Sequence, residues 1–417
     1  MNPVVRLALA LLGTALLSTA CTEPADTTAT ESSTATTTTS APPASSEPAL
    51  PPPAATPVLA EVVAAPIPVP ATDGAVHLAY ELTLTNAMGS DVTLESVVVE
   101  GGDKMLLSLD GDRLAYRTRV LGGGPATVAF GPAQAGTVWL DVVLDKGAPV
   151  PTELTHSIRV RLSKPMPPLL PDVMTEEGVA PVRVSDQRPV EIAPPLRGPN
   201  WLDANSCCDM TAHRMAMNPL GGQLWAAERF AIDYVQLGAD GTIYAGDRSK
   251  PEAYPYFGAD IHAVADGPVV GVMEGLPEQV AGKSPTGLPL DQYGGNHIVQ
   301  DIGNGNYAFY AHLKTGSSTV EVGDRLTKGQ VIANLGNSGN TDAPHLHFHI
   351  MSTPDPLRSN GLPFVIENYE LTGEMASMDA LDPLLEGKPA DLKPGFASRQ
   401  ETRTSPLVLD VMSYAGD

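Results

Sequence analysis

The sequence predicts a mainly β protein, with an N-terminal antiparallel β-sandwich followed by a second antiparallel β-sheet domain. Apolar and polar residues alternate with period two in short segments such as 76–84 and 158–162. The chain is rich in turn formers, with 39 Gly and 40 Pro, and only 5% of its residues are aromatic. Short alternating segments bounded by Gly, Pro and Asp are typical of strands and turns rather than of long helical bundles.

The length of the chain indicates the number of domains, and its charge excludes some classes of function. The 417 residues suggest two or three domains. The formal net charge of −23 makes the chain a poor candidate for a nucleic-acid binder, because phosphates must be met by cations. Three cysteines are too few for a fold framed by disulfides.

The N-terminus has the pattern of an export signal over residues 1–20. Arg6 precedes an apolar run, 7–17, that is too short to span a membrane, and small residues follow it. The small residues before Cys21 resemble a bacterial lipobox, although Leu17 lies one place further from the cysteine than that pattern has it. This resemblance implies a lipid anchor on Cys21 in the cell envelope, on the periplasmic or outer-membrane side; ordinary secretion is the alternative.

Composition then predicts a tether, a β domain and a linker. Residues 21–57 are rich in Thr, Pro and Ala, and we expect them to form a disordered tether. Residues 58–165 carry the period-two pattern of the sandwich but no nucleophile–base set, so their role is open: spacer, partner-binding module or a pro-region covering a groove. The proline-rich stretch 166–197 is interpreted as a second linker.

Most of the residues suited to chemistry lie after residue 200. His345, His347 and His349 alternate with apolar residues, so a strand would project all three imidazoles from one face. Neutral imidazoles suit zinc. Asp233 lies in an apolar segment, where a carboxylate is costly unless it is paired or coordinates a metal.

A succession of motifs resembles the M23 family of zinc metallopeptidases, the lysostaphin and LytM type, over residues 200–365. The segments that carry this resemblance are Asp266-Gly267-Pro268-Val269-Val270, Tyr310-Ala311-His312-Leu313, Gly336-Asn337-Ser338-Gly339 and Pro344-His345-Leu346-His347-Phe348. The resemblance implies a small antiparallel β-sheet peptidase domain with a substrate groove, expected over 198–385. We expect the tail, 386–417, to be loosely ordered apart from a strand over 407–412.

The resemblance also implies residue roles around one zinc ion. His347 and Asp233 match the family's metal ligands, and His345 and His312 match its two catalytic histidines. His349 stands where the family has a different residue and receives no role.

One position departs from the family pattern. The family has a histidine four residues before the aspartate, but this chain has Arg229, which stays protonated and offers no lone pair. We therefore predict His213 as the third metal ligand, with His262 and His297 as weaker alternatives.

The two adjacent cysteines just before His213 allow three interpretations of their chemical state. Export favours a disulfide between Cys207 and Cys208; free thiols and a cysteine metal ligand are the alternatives.

The function expected from the resemblance is hydrolysis of peptide cross-links in peptidoglycan by a zinc endopeptidase. His345 or His312 would take a proton from the attacking water, and the other would bond the oxyanion. A metal-free domain that binds peptidoglycan or activates a cell-wall amidase is the first alternative. An adhesin-like sandwich with incidental histidines is the second.

Overall fold

The structure is a computed structural model that describes residues 54–416. The predicted signal peptide, Cys21 and nearly all of the predicted tether lie outside the described residues. Within 54–416 no helix is both long and apolar enough to cross a membrane. The described chain is mostly β, and its sheets are predominantly antiparallel, which confirms the predicted fold class.

The N-terminal domain is built from ten strands and one short helix. They are β1 (Val58–Val62), β2 (Val69–Pro70), β3 (Val76–Asn86), β4 (Val92–Gly101), β5 (Lys104–Asp110), α1 (Gly111–Tyr116), β6 (Thr118–Val120), β7 (Ala129–Phe130), β8 (Ala135–Leu144), β9 (Glu153–Leu162) and β10 (Val173–Arg183). One sheet has the order β1-β3-β8-β6 and the other β10-β9-β4-β5. The alternate apolar residues of both sheets meet in one core, as in a β-sandwich.

The region expected to be a linker, 166–197, differs from that prediction. Its central part forms β10, which pairs with β9 and completes the second sheet of the sandwich. Prolines flank the strand, and register shifts between Glu176 and Val182 interrupt its alternation. These interruptions hide the strand from a search for period two.

The C-terminal domain is organised around one long mixed sheet. The strands of this domain are β11 (Val190–Ile192), β12 (Gly198–Asp203), β13 (Asn218–Leu220), β14 (Gln223–Trp225), β15 (Ile232–Gln236), β16 (Asp260–His262), β17 (Gly267–Met273), β18 (Asn296–Gly303), β19 (Asn306–Leu313), β20 (Arg325–Leu326), β21 (Val331–Asn334), β22 (Leu346–Met351), β23 (Gly361–Leu362), β24 (Phe364–Glu374), β25 (Arg399–Thr404) and β26 (Asp410–Tyr414). The helices are α2 (Ala212–Met215), α3 (Leu381–Leu385) and the 3-10 turns Pro251–Ala253, Leu290–Gln292 and Met378–Ala380.

The order of strands in this sheet positions the site. It runs β11-β24-β26-β12-β15-β22-β19-β18-β17-β20, so β22 lies between β15 and β19. Phe348 and Leu346 of β22 are fully buried in the core on one face. The alternate residues of β22 project from the opposite face.

The C-terminal tail is ordered, contrary to the expectation for 386–417. β26 lies inside the long sheet, between β24 and β12, and β25 pairs with β24. Val411, Met412 and Tyr414 are buried there. The sequence suggested a strand near 407–412, but its partners lie far away along the chain.

Candidate metal centre and catalytic site

Strand register brings the predicted site residues together. Asp233 of β15 pairs with His347 of β22, and His347 pairs on its other side with Ala311 of β19. His312 follows directly, with a left-handed backbone (φ 59°) that is uncommon for a residue other than glycine. The pairing thus places a carboxylate and two histidines side by side on three neighbouring strands.

His213 joins this group from helix α2. Its Nε2 lies 3.3 Å from Asp233 Oδ2, and His347 Nδ1 lies 3.0 Å from Asp233 Oδ1. These three residues offer ligand atoms that all lie within 4.8 Å of one another. His213 and His347 are buried, so little water competes for the donors.

The outward-facing ring nitrogens of both histidines have partners that fix the rings. His213 Nδ1 lies 3.0 Å from the carbonyl oxygen of Ala231, which only accepts, so Nδ1 carries the proton and Nε2 presents its lone pair. His347 Nε2 lies 2.9 Å from His349 Nδ1, which leaves His347 Nδ1 facing Asp233. Such second contacts are typical of metal-ligating histidines.

Asn205 supports both ends of the group. Its Nδ2 donates to Asp233 Oδ2 at 3.0 Å, and its Oδ1 accepts from the backbone N–H of His213 at 3.2 Å. The side chain therefore ties helix α2 to strand β15.

The donor set fits zinc. Zinc takes imidazole and carboxylate ligands at about 2.0–2.1 Å, so two ligand atoms of a tetrahedral ion lie about 3.3 Å apart. The Asp233 carboxylate lies 3.3 Å from His213 through Oδ2 and 3.0 Å from His347 through Oδ1, so each separation is close to such an edge but ends on a different carboxylate oxygen. His213, Asp233 and His347 would hold the ion, and three protein ligands leave a place for water.

His312 and His345 lie beside this group and face each other, with ring centroids 4.7 Å apart. His312 Nδ1 donates to the carbonyl of Ser338 at 2.8 Å, and His345 Nδ1 donates to the carbonyl of Ala343 at 2.8 Å. Each ring therefore directs its Nε2 away from those carbonyls, and His345 Nε2 lies 3.2 Å from Asp233 Oδ1. Both histidines are placed to exchange protons next to the donor set.

Burial and charge shift the protonation of the group. Burial lowers the pKa of His312 well below its usual value, and the neighbouring His345 and His347 lower it further. Burial also lowers the pKa of His345, but the Asp233 charge outweighs it and raises the pKa above the ordinary value. Burial raises the pKa of Asp233, yet His213 and His345 hold it well below its usual range.

A cavity of about 790 Å³ contains these residues. Its lining residues all lie between Asn205 and Leu357, so the sandwich contributes none of them. Within the described part of the chain, the lining includes the apolar side chains Met273, Leu290 and Phe309 and several carboxylates, but no Lys or Arg. The sandwich thus does not cover this cavity, in contrast to one of the roles considered for it.

The remaining predicted residues lie outside the donor set. Arg229 points away and binds Glu81 of the sandwich. His262 is buried in β16, with Nδ1 3.0 Å from the carbonyl of Gly329. His297 lines the cavity, with Nδ1 2.8 Å from the carbonyl of Gly295. Cys207 and Cys208 form a disulfide with each other.

Two supporting residues were missed by sequence reasoning. Asn205 lies eight residues before His213 and has no motif of its own, so nothing in the sequence marks it. The sequence assigns no role to His349, although its alternation with His347 is a signal; its Nε2 is buried and has no hydrogen-bond partner within residues 54–416.

Part of the chain that contains site residues matches a known family of peptidases. Residues 253–359 match the model of Peptidase family M23. This region of the chain is thus similar to M23 peptidases. The matched region contains His312, His345 and His347, whereas His213 and Asp233 lie upstream of it.

One curated relative is the phage enzyme Endolysin 2638A of Staphylococcus phage 2638A, with 31% identity over 93 residues. The match covers 21% of this chain and 19% of the relative. The chain thus spans about a fifth of that relative's length.

Several solved structures are similar to part of the chain. The catalytic domain of lysostaphin from Staphylococcus simulans is 19% identical, with 38% of this chain and 84% of that chain covered and a TM-score of 0.22. The catalytic domain of the prophage-encoded M23 protein EnpA from Enterococcus faecalis, solved as a point mutant, is 19% identical, with coverage of 39% and 88% and a TM-score of 0.23. A zinc-containing peptidase from Vibrio cholerae is 13% identical, with coverage of 70% and 81% and a TM-score of 0.21.

Proposed function

We propose that this protein is a zinc-dependent endopeptidase of the cell envelope that hydrolyses peptide cross-links of peptidoglycan. One zinc ion would be held by His213, Asp233 and His347. Export and a lipid anchor on Cys21 belong to the proposal. The observation that carries it is the meeting of these three donors from three separate stretches, with both imidazoles oriented by further hydrogen bonds.

Each residue has a defined task in this proposal. A bound zinc ion lowers the pKa of its water to about 7 and polarises a carbonyl. His312 and His345 divide two tasks: one takes the proton of the attacking water, and the other donates a hydrogen bond to the oxyanion. The backbone carbonyls of Ser338 and Ala343 hold the two rings in position.

The cavity favours substrates that carry positive charge. Glu228, Asp291, Asp342 and Asp355 line it together with the site histidines, and no lysine or arginine that the structure describes does so. A peptide with a free amino group would meet complementary charge there. We therefore include amine-bearing cross-link peptides in the proposed substrate class.

The second candidate function is a metal-free domain that binds peptidoglycan or activates a cell-wall amidase. The observation that favours it is Arg229, which stands in the family's ligand position and binds Glu81 instead. The two candidates differ in whether the purified protein binds zinc.

Zinc stoichiometry and peptidoglycan cleavage, measured on the same preparations, test the proposal. The wild type is expected to bind one zinc ion and release peptide fragments, and His213→Ala is expected to lose both properties. His262→Asn is the matched control, because it changes a buried histidine outside the donor set and keeps a donor toward Gly329. A wild-type protein that binds no zinc and only adheres to peptidoglycan would establish the second candidate.

A further inference from the structure

A buried carboxylate of the sandwich binds two segments of the peptidase region. Glu81 of β3 is fully buried, and it accepts from Arg214 Nη1 at 2.7 Å and from Arg229 Nε at 2.8 Å. The Arg229 Nη2 group also donates to Glu81. Both guanidinium groups are themselves buried, at 1% and 4% exposure, so this cluster is shielded from water.

The first of these segments carries a proposed metal ligand. Arg214 follows His213 directly in α2, a helix of four residues. So short a helix has little stability of its own, and its position depends on tertiary contacts. Arg214 supplies two of them across the domain boundary, to Glu81 and to the carbonyl of Leu140 in β8.

The second segment leads into the strand that carries another ligand. Arg229 lies three residues before β15, where Asp233 contributes its carboxylate. The carbonyl of Ala231, between them, accepts a hydrogen bond from His213 Nδ1. A displacement of Arg229 would therefore move both the Asp233 strand and the group that orients His213.

We infer that Glu81 is a positioning residue for the metal site, so that the β-sandwich is a structural part of the peptidase centre. This inference rests on the proposed function. In the family pattern the position of Arg229 is a metal-binding histidine. In this chain Arg229 instead attaches the segment before β15 to the sandwich through Glu81. Glu81 holds both segments at once, which neither arginine does alone.

The test measures zinc affinity by competition with a chelator, on the full chain. Glu81→Gln keeps the shape of the side chain and removes its charge, and we expect its Kd for zinc to rise at least about tenfold. Glu100→Gln is the matched control, because Glu100 accepts a hydrogen bond from Ser157 within the sandwich. Its Kd is expected to stay within about twofold of the wild-type value.

Two further variants separate positioning from loss of stability. Leu109→Ala removes a buried side chain from the sandwich core without touching the charges, so Tm should fall while Kd stays unchanged. Glu81→Asp keeps the charge but shortens its reach, and it should raise Kd at least about threefold. It also replaces Glu81→Gln if that variant does not fold.

The outcomes distinguish this inference from the proposed function. Folded Glu81 variants that bind zinc with the wild-type Kd would overturn this inference but not the proposed function. The same holds if Leu109→Ala raises the Kd as much as a Glu81 variant with an equal fall in Tm. A wild type without zinc would overturn the proposed function and this inference with it.

Discussion

His345 and His347 lie two residues apart on one face, yet the proposed roles differ. His347 shares the proposed donor set with His213 and Asp233, whereas His345 lies against His312, with ring centroids 4.7 Å apart. We therefore expect His345→Ala to keep its zinc and to lose about 10²–10⁴-fold in cleavage rate. His347→Ala should lose both zinc and activity.

Metal analysis and peptidoglycan cleavage of the two variants, each against the wild type, check this difference. Equal loss of zinc in both would place His345 among the ligands. Full activity in either variant would exclude the assigned role of that residue.

His349 is predicted to act through His347. Its Nδ1 accepts from His347 Nε2 when His347 presents its Nδ1 to the metal, and its own Nε2 is buried with no partner among the described residues. His349→Leu removes the acceptor, so the Kd for zinc should rise about 10- to 100-fold. His349→Gln can still accept through its side-chain oxygen and should retain more affinity.

Chelator competition gives the Kd of each variant, and thermal unfolding of the zinc-free proteins reports on folding. A Leu variant that folds and binds zinc as tightly as the wild type would assign His349 to packing alone.

The sequence could predict the reactive residues better than their supports. Chemistry restricts ligands to a few residue types, so with Arg229 excluded another histidine is expected as the third ligand, and the structure places His213 beside Asp233. Asn205 acts through hydrogen bonds that many polar residues could make, and it meets Asp233 only after folding. Such contacts leave no spacing rule in the sequence.

At the scale of elements, the turn at Gly295, just before β18, supports His312. Gly295 has a left-handed backbone (φ 62°), and a Cβ added there would lie 2.2 Å from the carbonyl oxygen of Ser338. That oxygen also accepts a hydrogen bond from His312 Nδ1. The absence of a side chain at Gly295 therefore allows the close approach that fixes this histidine.

Gly295→Ala is expected to destabilise the protein and to reduce cleavage. Gly305→Ala is the control, because Gly305 is also left-handed (φ 75°) but has open space around its Cβ position. The control should lose about 1–2 kcal/mol from the left-handed backbone alone. Gly295→Ala should lose about 1–3 kcal/mol more from the steric conflict.

Denaturant unfolding and activity assays measure both effects. Equal losses of stability in the two variants, with activity kept in Gly295→Ala, would show that the turn adapts without moving His312.

Strands were predictable where alternation is regular, and not where pairing is distant. The pattern over 76–84 lies within β3, which is bordered by β1 and β8. β10 was hidden by prolines and register shifts, and β26 is buried only because β24 and β12 flank it. Local alternation of apolar and polar residues indicates which face of a strand is buried. Whether a short segment joins a sheet depends on partner strands that lie far along the chain.

At the scale of the whole molecule, buried carboxylates make stability depend on pH. Burial raises the pKa of Glu176 in β10 to about 7, although the backbone N–H of Val58 opposes this with a hydrogen bond of 2.8 Å. The ordinary pKa of this side chain, which applies to the unfolded chain, is 4.5. Between these two values the folded protein holds a proton that the unfolded chain releases.

The sign of the effect follows from this difference in bound protons. The stabilising contribution of Glu176 is complete below about pH 4.5 and is lost as the pH rises through about 7. A difference of this size corresponds to about 3 kcal/mol in the free energy of unfolding. Glu176→Gln removes the titration, so its stability curve should fall less steeply over this range than that of the wild type.

Denaturant unfolding at about pH 4.5, 5.5, 6.5 and 7.5, which spans the titration, gives the free energy of unfolding against pH for each protein. Glu177→Gln is the matched control, because the neighbouring Glu177 is exposed on the same strand and should leave the wild-type slope unchanged. Parallel curves for the wild type and Glu176→Gln would contradict the prediction. Glu176 Oε1 accepts from Val58 in the first strand of the sandwich, so a confirmed slope would show that the carboxyl group joining the first strand to the last makes the stability of the protein depend on pH.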